Sequence, residues 1–170
     1  EMSARVVAAC RKVTKKPLIT KLSPNQTDIR ENARLCIEAG SDGLAVINTI
    51  SGMAIDPKTR RPVIGNVQGG LSGPAIKPIA LLMVKKVYEV AGPKNVPIIG
   101  QGGITTVSDA IEFLVAGATA IGLGTGLFYD PLLCPKINAG IAAYLSETGI
   151  NVVTKLRGSP TDGATEDCAG

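Results

Sequence analysis

The sequence feature that most constrains the fold is residues 96–126, VPIIGQGGITTVSDAIEFLVAGATAIGLGTG. Two short apolar runs, Pro97–Gly100 and Ala120–Leu123, are separated by a segment whose apolar residues recur with a helical period. Thr106 is placed to cap that helix, with Asp109 three residues later to complete the cap. The stretch therefore predicts a strand, a helix and a second strand.

Each predicted strand of this unit runs out into glycines. The exits are Gln101-Gly102-Gly103 after the first strand and Gly124-Thr125-Gly126 after the second. Because glycine has no Cβ, backbone N–H groups there can approach an anion closely, and helix N-termini add favourable partial charge. Paired exits resemble the phosphate site that barrel enzymes build after their last two strands. We therefore predict a phosphate site in which a side chain at Gly103 would fill the anion's space; the alternative is that the glycines only form tight turns.

The composition favours buried parallel strands and argues against nucleic-acid binding. Of the 170 residues 45% are apolar, yet there are only two Phe, three Tyr and no Trp. Such an aliphatic core suits parallel strands flanked by helices, and it offers few aromatic rings for base stacking. The net charge of +4 comes from local groups of Lys and Arg, which we interpret as solvated faces, with mild anion steering as the alternative.

The inventory of chemically active side chains is short. The sequence has no His, which excludes histidine acid–base catalysis and histidine metal ligation within this chain. Its four Cys are widely spaced without a C-x-x-C pair, so no zinc site or iron–sulfur cluster is predicted. No signal peptide and no apolar run long enough to span a membrane is visible, and we expect a cytoplasmic protein.

The rest of the chain alternates between helical and extended patterns. The predicted elements are a helix over residues 1–15, the strand LITKL after Pro17, a helix from Asp28, the strand Gly43–Thr49, a helix over Pro78–Ala91 and a last helix over Pro131–Ser146. A long connection over Ile50–Gly73 carries two apolar arms around Asp56, as a hairpin would. We expect it to be an ordered cover over an active site.

The alternation of strands and helices predicts the fold class. Four strands that alternate with helices require parallel pairing with right-handed crossovers. A complete (β/α)8 barrel needs about 250 residues, so we predict an α/β fold, the C-terminal half of a TIM barrel. An open doubly wound sheet is the alternative, but it would place one glycine loop after the first strand. We assign residues 1–157 to the half-barrel and residues 158–170 to a disordered tail.

Six strings in the sequence are specific in their order and spacing. They are KLSPN at 21–25, INT at 47–49, the GMAID…GN hairpin at 52–66, GGLSGPAIKPIAL at 69–81, IIGQGGI at 98–104 and GLGTG at 122–126. Together they resemble dihydroorotate dehydrogenases of the FMN-dependent, two-subunit, NAD-linked type. Domains of dihydropyrimidine dehydrogenase share several of these motifs and are the alternative, but the GMAID hairpin favours the dihydroorotate enzymes.

The resemblance implies a barrel with FMN at its C-terminal mouth and assigns roles to nine residues. Gly102, Gly103, Gly124 and Thr125 would hold the FMN phosphate, and Ile47 and Gly73 would contact FMN through their backbone. Lys21 would lie beside the flavin ring, where a cation stabilises negative charge that develops during hydride acceptance. Asn48 and Thr49 would hydrogen-bond the pyrimidine substrate, a task that suits an amide beside a hydroxyl.

The family's reaction oxidises dihydroorotate to orotate in pyrimidine biosynthesis: a base removes a proton from C5 while C6 delivers hydride to FMN. Electrons then pass to NAD through a partner subunit that carries FAD and a [2Fe–2S] cluster. The base is a cysteine on a loop in the first half of the barrel, and none of the four Cys in this sequence lies in that motif. We therefore expect this chain alone to be an inactive fragment of the enzyme.

A half-barrel would leave two strand edges unpaired, near Leu18–Leu22 and Ala120–Leu123. We therefore expect association with the missing half-barrel or with a second copy of the chain. Two alternatives to an enzyme fragment stay open. One is a non-catalytic, self-associating half-barrel that binds only FMN or another phosphorylated ligand, and the other is a different phosphate-binding barrel enzyme that shares only the glycine exits.

Overall fold

Strands and helices alternate along the chain in the predicted order. The computed structural model describes residues 2–159. The α-helices are α1 (Met2–Val13), α2 (Ile29–Glu38), α3 (Lys77–Ala91), α4 (Val107–Ala116), α5 (Gly126–Tyr129) and α6 (Leu133–Glu147). The strands are β1 (Ile19–Leu22), β2 (Gly43–Val46), β3 (Ile50–Gly52), β4 (Ile55–Asp56), β5 (Arg61–Pro62), β6 (Gly69–Leu71), β7 (Ile98–Gln101) and β8 (Ala120–Gly122). Short 3-10 helices lie at Pro74–Ile76 and Val153–Lys155.

Four of the strands form one parallel sheet in the order β1-β2-β7-β8. In its register, Lys21 on β1 pairs with Ala45 on β2, and Ala45 pairs in turn with Ile99 on β7. Ile99 pairs with Ala120 on β8. The prediction of four adjacent parallel strands is therefore confirmed, and β1 and β8 are the two edges of the sheet.

The two faces of this sheet have different surroundings. Helices α2, α3 and α4 pack on one face. The strand residues buried beneath them are Leu22, Leu44, Val46 and Ile98. On the opposite face Ile19 is 52% exposed, Lys21 is exposed and Ile99 is half-buried. A parallel βα array covered on one side only is the arrangement of half a TIM barrel.

Side-chain caps fix where α2 and α4 begin, and one glycine fixes where α4 ends. The carboxylate of Asp28 accepts a hydrogen bond from the Arg30 N–H at the start of α2 (2.9 Å). At the start of α4, Thr106 Oγ1 accepts from the Asp109 N–H (3.1 Å) while the Asp109 carboxylate accepts from the Thr106 N–H (2.8 Å). Helix α4 ends at Gly117, whose φ of 122° is rarely adopted by residues with a side chain. The predicted capping box is therefore confirmed.

The long connection between β2 and α3 is built from two antiparallel strand pairs, β3 with β6 and β4 with β5. At the tip, the Asp56 carboxylate accepts from the Lys58 N–H (2.9 Å) and from the Thr59 hydroxyl (2.7 Å). Every residue from 61 to 70 is exposed. The predicted hairpin is confirmed, and it projects from the carboxyl end of the sheet.

Several predicted boundaries differ from the structure by two residues or more. The helix expected over residues 1–15 ends at Val13. The strand expected over Gly43–Thr49 ends at Val46, because its neighbours β1 and β7 end at Leu22 and Gln101 and leave no strand beside Thr49. The last helix begins at Leu133 instead of Pro131. Before it the chain forms a turn, in which the Asp130 carboxylate accepts from the Leu132 N–H (3.1 Å).

The described residues reach just past the predicted boundary between the half-barrel and the tail, at residue 157. Leu156 is buried in the fold, whereas residues 160–170, which make up most of the predicted tail, lie outside the described residues. Within residues 2–159, no helix is long and apolar enough to cross a membrane.

Candidate functional site

A cavity of about 270 Å³ opens at the carboxyl ends of the parallel strands. This is the edge at which α/β folds bind their ligands, because loops from neighbouring strands converge there. All nine residues to which the sequence assigned a role line this cavity, although they come from five separate segments of the chain. They are Lys21, Ile47, Asn48, Thr49, Gly73, Gly102, Gly103, Gly124 and Thr125.

The two glycine exits lie at one end of the cavity, after β7 and β8. Gly102 and Gly103 have φ values of 137° and 77°, which glycine adopts at no steric cost. A Cβ added at Gly124 would meet no atom within 4 Å, and its φ lies outside the left-handed region. Among residues 2–159, the N–H groups of Gly102, Gly103, Gly124 and Thr125 are donors in none of the loop hydrogen bonds. Four N–H groups are thus available to an anion.

The geometry corrects the prediction about Gly103. A Cβ at this position would lie 2.7 Å from the Gly73 carbonyl oxygen and 3.0 Å from the Lys77 nitrogen. A side chain there would collide with the protein's own backbone, because the turn that carries Gly73 passes directly beside the exit of β7. Gly103 is therefore required by the fold itself, and its replacement would not report on anion binding alone.

One buried carboxylate holds the loop that follows Gly103. Asp109 accepts hydrogen bonds from the N–H groups of Thr105 (2.9 Å) and Thr106 (2.8 Å), and from the Lys77 ammonium on α3 (2.7 Å). Burial by itself would raise the pKa of Asp109, but the Lys77 ammonium and the backbone N–H donors outweigh it and hold the pKa well below its usual range. In return, Asp109 and then Glu112 raise the pKa of Lys77. The glycine exit is therefore anchored to two helices.

The other end of the cavity is formed where β1 and β2 end. The buried Ile47 donates its N–H to the Gln101 carbonyl (3.0 Å), and the exposed Asn48 donates its N–H to the Leu22 carbonyl (2.9 Å). Asn25 donates from its side chain to the Thr49 carbonyl (3.0 Å). The segment that presents Asn48 and Thr49 is therefore tied to both neighbouring strands.

Lys21 supplies a positive charge at the same end. Its side chain is exposed on the open face of the sheet, and none of the ion pairs found within residues 2–159 includes it. Its charge is therefore available to a ligand in the cavity.

Sequence reasoning missed three polar side chains that line the cavity: Ser72, Gln101 and Thr105, whose hydroxyl donates to the Asp109 carboxylate (3.1 Å). Gln101 donates from Nε2 to the Ile47 carbonyl (3.0 Å), and Ser72 accepts a hydrogen bond from the Thr125 hydroxyl (3.0 Å). The signal for Gln101 was present, because residues two apart on a strand face the same side and Ile99 faces the cavity side of the sheet. Ser72 could be found only from its place next to Gly73.

Groups for other kinds of chemistry are few in the cavity. The part of the chain that the structure describes brings no three His, Cys, Asp or Glu side chains close enough to hold a metal ion. Cys10, Cys36 and Cys134 are free thiols, and none of them lines the cavity. The arrangement is suited to holding an anion at one end and a polar heterocycle beside an ammonium group at the other.

Comparison with known proteins identifies the family. The Dihydroorotate dehydrogenase family profile matches residues 1–145. The catalytic subunit of dihydroorotate dehydrogenase B (NAD(+)) from Pelobacter propionicus is 52% identical over 157 residues, which are 92% of this chain and 51% of that protein. The subunits of the same name from Trichlorobacter lovleyi and Listeria monocytogenes are 54% and 46% identical, over 92% and 95% of this chain and 51% and 52% of theirs. The chain thus spans about half the length of these relatives, and it belongs to the dihydroorotate dehydrogenase family.

Proposed function

We propose that this chain is the FMN-binding half of a dihydroorotate dehydrogenase catalytic subunit, one that oxidises dihydroorotate to orotate. The observation that carries the proposal is the convergence of all nine assigned residues on one cavity at the carboxyl edge of the sheet. The matching family and the relatives named as NAD(+)-linked catalytic subunits support the same reading.

The glycine exits fit the phosphate of FMN. Backbone N–H groups that lack internal partners need a ligand or water, and the four residues that carry such groups line one end of the cavity. Gly102, Gly103, Gly124 and Thr125 would therefore hold the phosphate. The buried Gly73 and Ile47 would contact the rest of FMN through their backbones, since both line the same cavity.

Lys21 would supply electrostatic stabilisation at the ring end. FMN, when bound, supplies an acceptor for the hydride from dihydroorotate. A fixed ammonium group beside that acceptor favours the form that carries more negative charge, and it does so most strongly where water is excluded. The absence of an ion-pair partner for Lys21 within residues 2–159 leaves its charge free for this role.

Asn48 and Thr49 would orient the substrate. An amide offers both a donor and an acceptor, and a hydroxyl can serve as either, which suits the imide and carboxylate groups of a pyrimidine acid. Both residues follow β2 directly, and their backbone is tied to β1 and to Asn25. Their side chains would therefore meet a ligand with little loss of conformational freedom.

No base for the C5 proton is proposed from this chain. The sequence lacks His, and none of Cys10, Cys36 and Cys134 lines the cavity. The base would come from the other half of the barrel, and a partner subunit with FAD and a [2Fe–2S] cluster would carry electrons to NAD. The remaining candidate function is a non-catalytic half-barrel that binds FMN or phosphate, since the anion end of the cavity alone would suffice for it.

The proposal is tested by FMN binding to the unaltered chain and to Gly124→Val. A Cβ at Gly124 meets no protein atom, so the fold should tolerate the valine, whose branches extend into the space beside the N–H groups. Hydrogen bonds to a charged group are worth about 1.5–3 kcal/mol each, so we expect FMN affinity to fall by at least about tenfold when one is lost. Quenching of flavin fluorescence measures it.

Gly65→Val is the matched control. Gly65 lies in the exposed connection, outside the cavity, and a Cβ there also meets nothing within 4 Å. FMN affinity should be unchanged in this variant. Equal affinity in Gly124→Val and the unaltered chain would contradict the assigned phosphate site, and no FMN binding by the unaltered chain would contradict the proposed function.

A further inference from the structure

Gln101 connects the two ends of the cavity through its backbone and its side chain together. It is the last residue of β7, immediately before Gly102, and it lines the cavity. Its backbone carbonyl accepts from the Ile47 N–H (3.0 Å), and its side-chain Nε2 donates to the Ile47 carbonyl (3.0 Å). Both polar backbone groups of Ile47 are therefore held by this single residue.

The side chain also crosses towards the edge strand β8. A Cβ added to Gly122 would lie 2.9 Å from Gln101 Oε1 and 3.1 Å from Gln101 Cβ. Since the Ile47 carbonyl is only an acceptor, the amide NH2 must point to β2, and Oε1 then points to β8. The Gln101 side chain thus lies between the Ile47 carbonyl and Gly122, and it occupies the space that a side chain at position 122 would need.

We propose that Gln101 is a positioning residue, which fixes the Ile47 peptide and thereby the Ile47–Thr49 segment for binding the ring of the flavin. This inference rests on the proposed function, because it takes the ring to lie at the Lys21 and Ile47 end of the cavity. Without the amide, the Ile47–Thr49 segment keeps the backbone bonds from the Ile47 N–H to the Gln101 carbonyl and from the Asn48 N–H to the Leu22 carbonyl, but the Ile47 carbonyl loses its donor. The segment that meets the ring is then less well ordered. At the phosphate end, the bonds that Asp109 accepts from the Thr105 and Thr106 N–H groups do not involve the Gln101 side chain.

The test compares FMN and inorganic phosphate as ligands of the full chain carrying Gln101→Met. Methionine keeps the length and volume of the side chain but cannot donate to Ile47. One neutral hydrogen bond contributes about 0.5–1.5 kcal/mol, so the dissociation constant for FMN should rise by roughly two- to tenfold. Phosphate affinity, measured by displacement of FMN and by calorimetry, should stay within about twofold, because the substitution leaves the backbone of Gly102 and the bonds from Thr105 and Thr106 to Asp109 in place.

Gln26→Met is the matched control. Gln26 also donates a side-chain hydrogen bond to a backbone carbonyl, that of Ser23 (2.6 Å), but it does not line the cavity. This variant should bind FMN as the unaltered chain does. Equal loss of FMN affinity in both variants, or parallel loss of FMN and phosphate affinity in Gln101→Met, would show a general structural role and overturn the proposal.

Gln101→Glu tests the hydrogen bond through the pH dependence of FMN affinity, which would not change if Gln101 served only in packing. At about pH 8 its carboxylate cannot donate to the Ile47 carbonyl, whereas the protonated acid, which forms as the pH falls through the ordinary glutamate pKa of about 4.3, can. Relative to the unaltered chain at each pH, FMN binding by Gln101→Glu should recover as the pH falls, and binding by Gln101→Met should not. Absence of that recovery overturns the inference. Failure of the unaltered chain to bind FMN overturns the proposed function with it, whereas normal binding by Gln101→Met overturns this inference alone.

Discussion

At the scale of single residues, the site depends on polar groups that hold backbone as much as on groups that would touch a ligand. Asp109 shows this most clearly, because its carboxylate accepts two backbone N–H groups and the Lys77 ammonium while only 8% of the residue is exposed. A nearly buried charge is tolerable only when each of its oxygens has such partners. The hydrogen bonds of this one side chain hold the loop that follows the glycine exit of β7.

The Asp109→Asn variant should therefore lose stability in a pH-dependent way. Asparagine cannot accept from Thr105 and Thr106 without turning its NH2 towards Lys77, so unfolding free energy at pH 7 should fall by about 1–3 kcal/mol. Because folding lowers the pKa of Asp109, its contribution is present above the unfolded carboxyl pKa of about 4 and is lost as the pH falls towards the lower folded-state value. Urea denaturation between pH 7 and pH 2.5 should show the two proteins converging at the acid end.

Asp130→Asn is the control for this pH series. The Asp130 carboxylate also pairs with a lysine, Lys136, but both side chains are on the surface, where such pairs contribute little. Its loss should change stability much less than the loss of Asp109. A pH-independent difference between Asp109→Asn and the unaltered chain would show that the charge is not what holds the loop.

Lys21 should matter to the reaction more than to binding. With the complementary half-barrel supplied, Lys21→Ala should slow reduction of the flavin by dihydroorotate more than it weakens FMN binding, because the ammonium group acts mainly as negative charge develops. Stopped-flow bleaching of the flavin measures the rate, and fluorescence quenching measures affinity. The chain alone should show almost no bleaching, since a positioned general base contributes about 10²–10⁴-fold. A normal rate in Lys21→Ala would remove this lysine from the chemistry.

At the scale of elements, the molecule consists of a packed βα array and of the connection between β2 and α3, which projects from it. The side chains of the parallel strands and of helices α2, α3 and α4 supply most of the buried apolar core, whereas every residue from 61 to 70 is exposed. The β4–β5 pair is held mainly by its own bonds, such as that from the Val63 N–H to the Ala54 carbonyl (2.9 Å). Its contribution to the stability of the array should accordingly be small.

Replacing residues 55–62 by an Asn-Gly turn tests this separation. The shortened chain should unfold in urea with a free energy within about 1 kcal/mol of the unaltered chain, since few core contacts are lost and closing a shorter loop costs less entropy. Thr106→Ala provides the comparison. It deletes a single hydroxyl, but because that hydroxyl caps α4 inside the packed array, it should lower the free energy of unfolding by about 1 kcal/mol. Collapse of the cooperative transition after shortening would mean that the connection is part of the folding unit.

Much of this architecture could be predicted from the sequence because it is locally encoded. The cap at Thr106 and Asp109, the stop at Gly117 and the alternation of apolar runs each depend on a few neighbouring residues, and all of them were found. The role of Gly103 could not be found in this way. It depends on where the distant turn at Gly73 passes, which is a matter of tertiary contact. The strand period could have placed Gln101 on the cavity side, but its bond to Ile47, which follows β2, is likewise a tertiary contact.

At the scale of the whole molecule, the described fold has two open edges and one open face. Strands β1 and β8 each have a neighbour on one side only, and the face that carries Ile19 and Lys21 has no helix on it. Unpaired N–H and C=O groups on a parallel edge can bond to another strand, and a β1 edge can accept a β8 edge of a second copy or the edge of a complementary half-barrel. The proposed site lies at the rim of this open face, so whatever covers the face also completes the cavity wall.

We therefore expect the chain by itself to associate at micromolar concentration, and we expect that association to use the open face. Sedimentation velocity should show a dimer or larger species. Ile19→Lys should shift it towards monomer, because a charge on the open face next to the β1 edge opposes burial of that face. Val13→Lys is the matched control, since Val13 is 85% exposed at the end of α1 and is not part of the open face of the sheet. Its replacement should leave the sedimentation pattern unchanged. A compact monomer of the unaltered chain would contradict the expected association, and equal effects of the two lysines would show that it does not involve the open face.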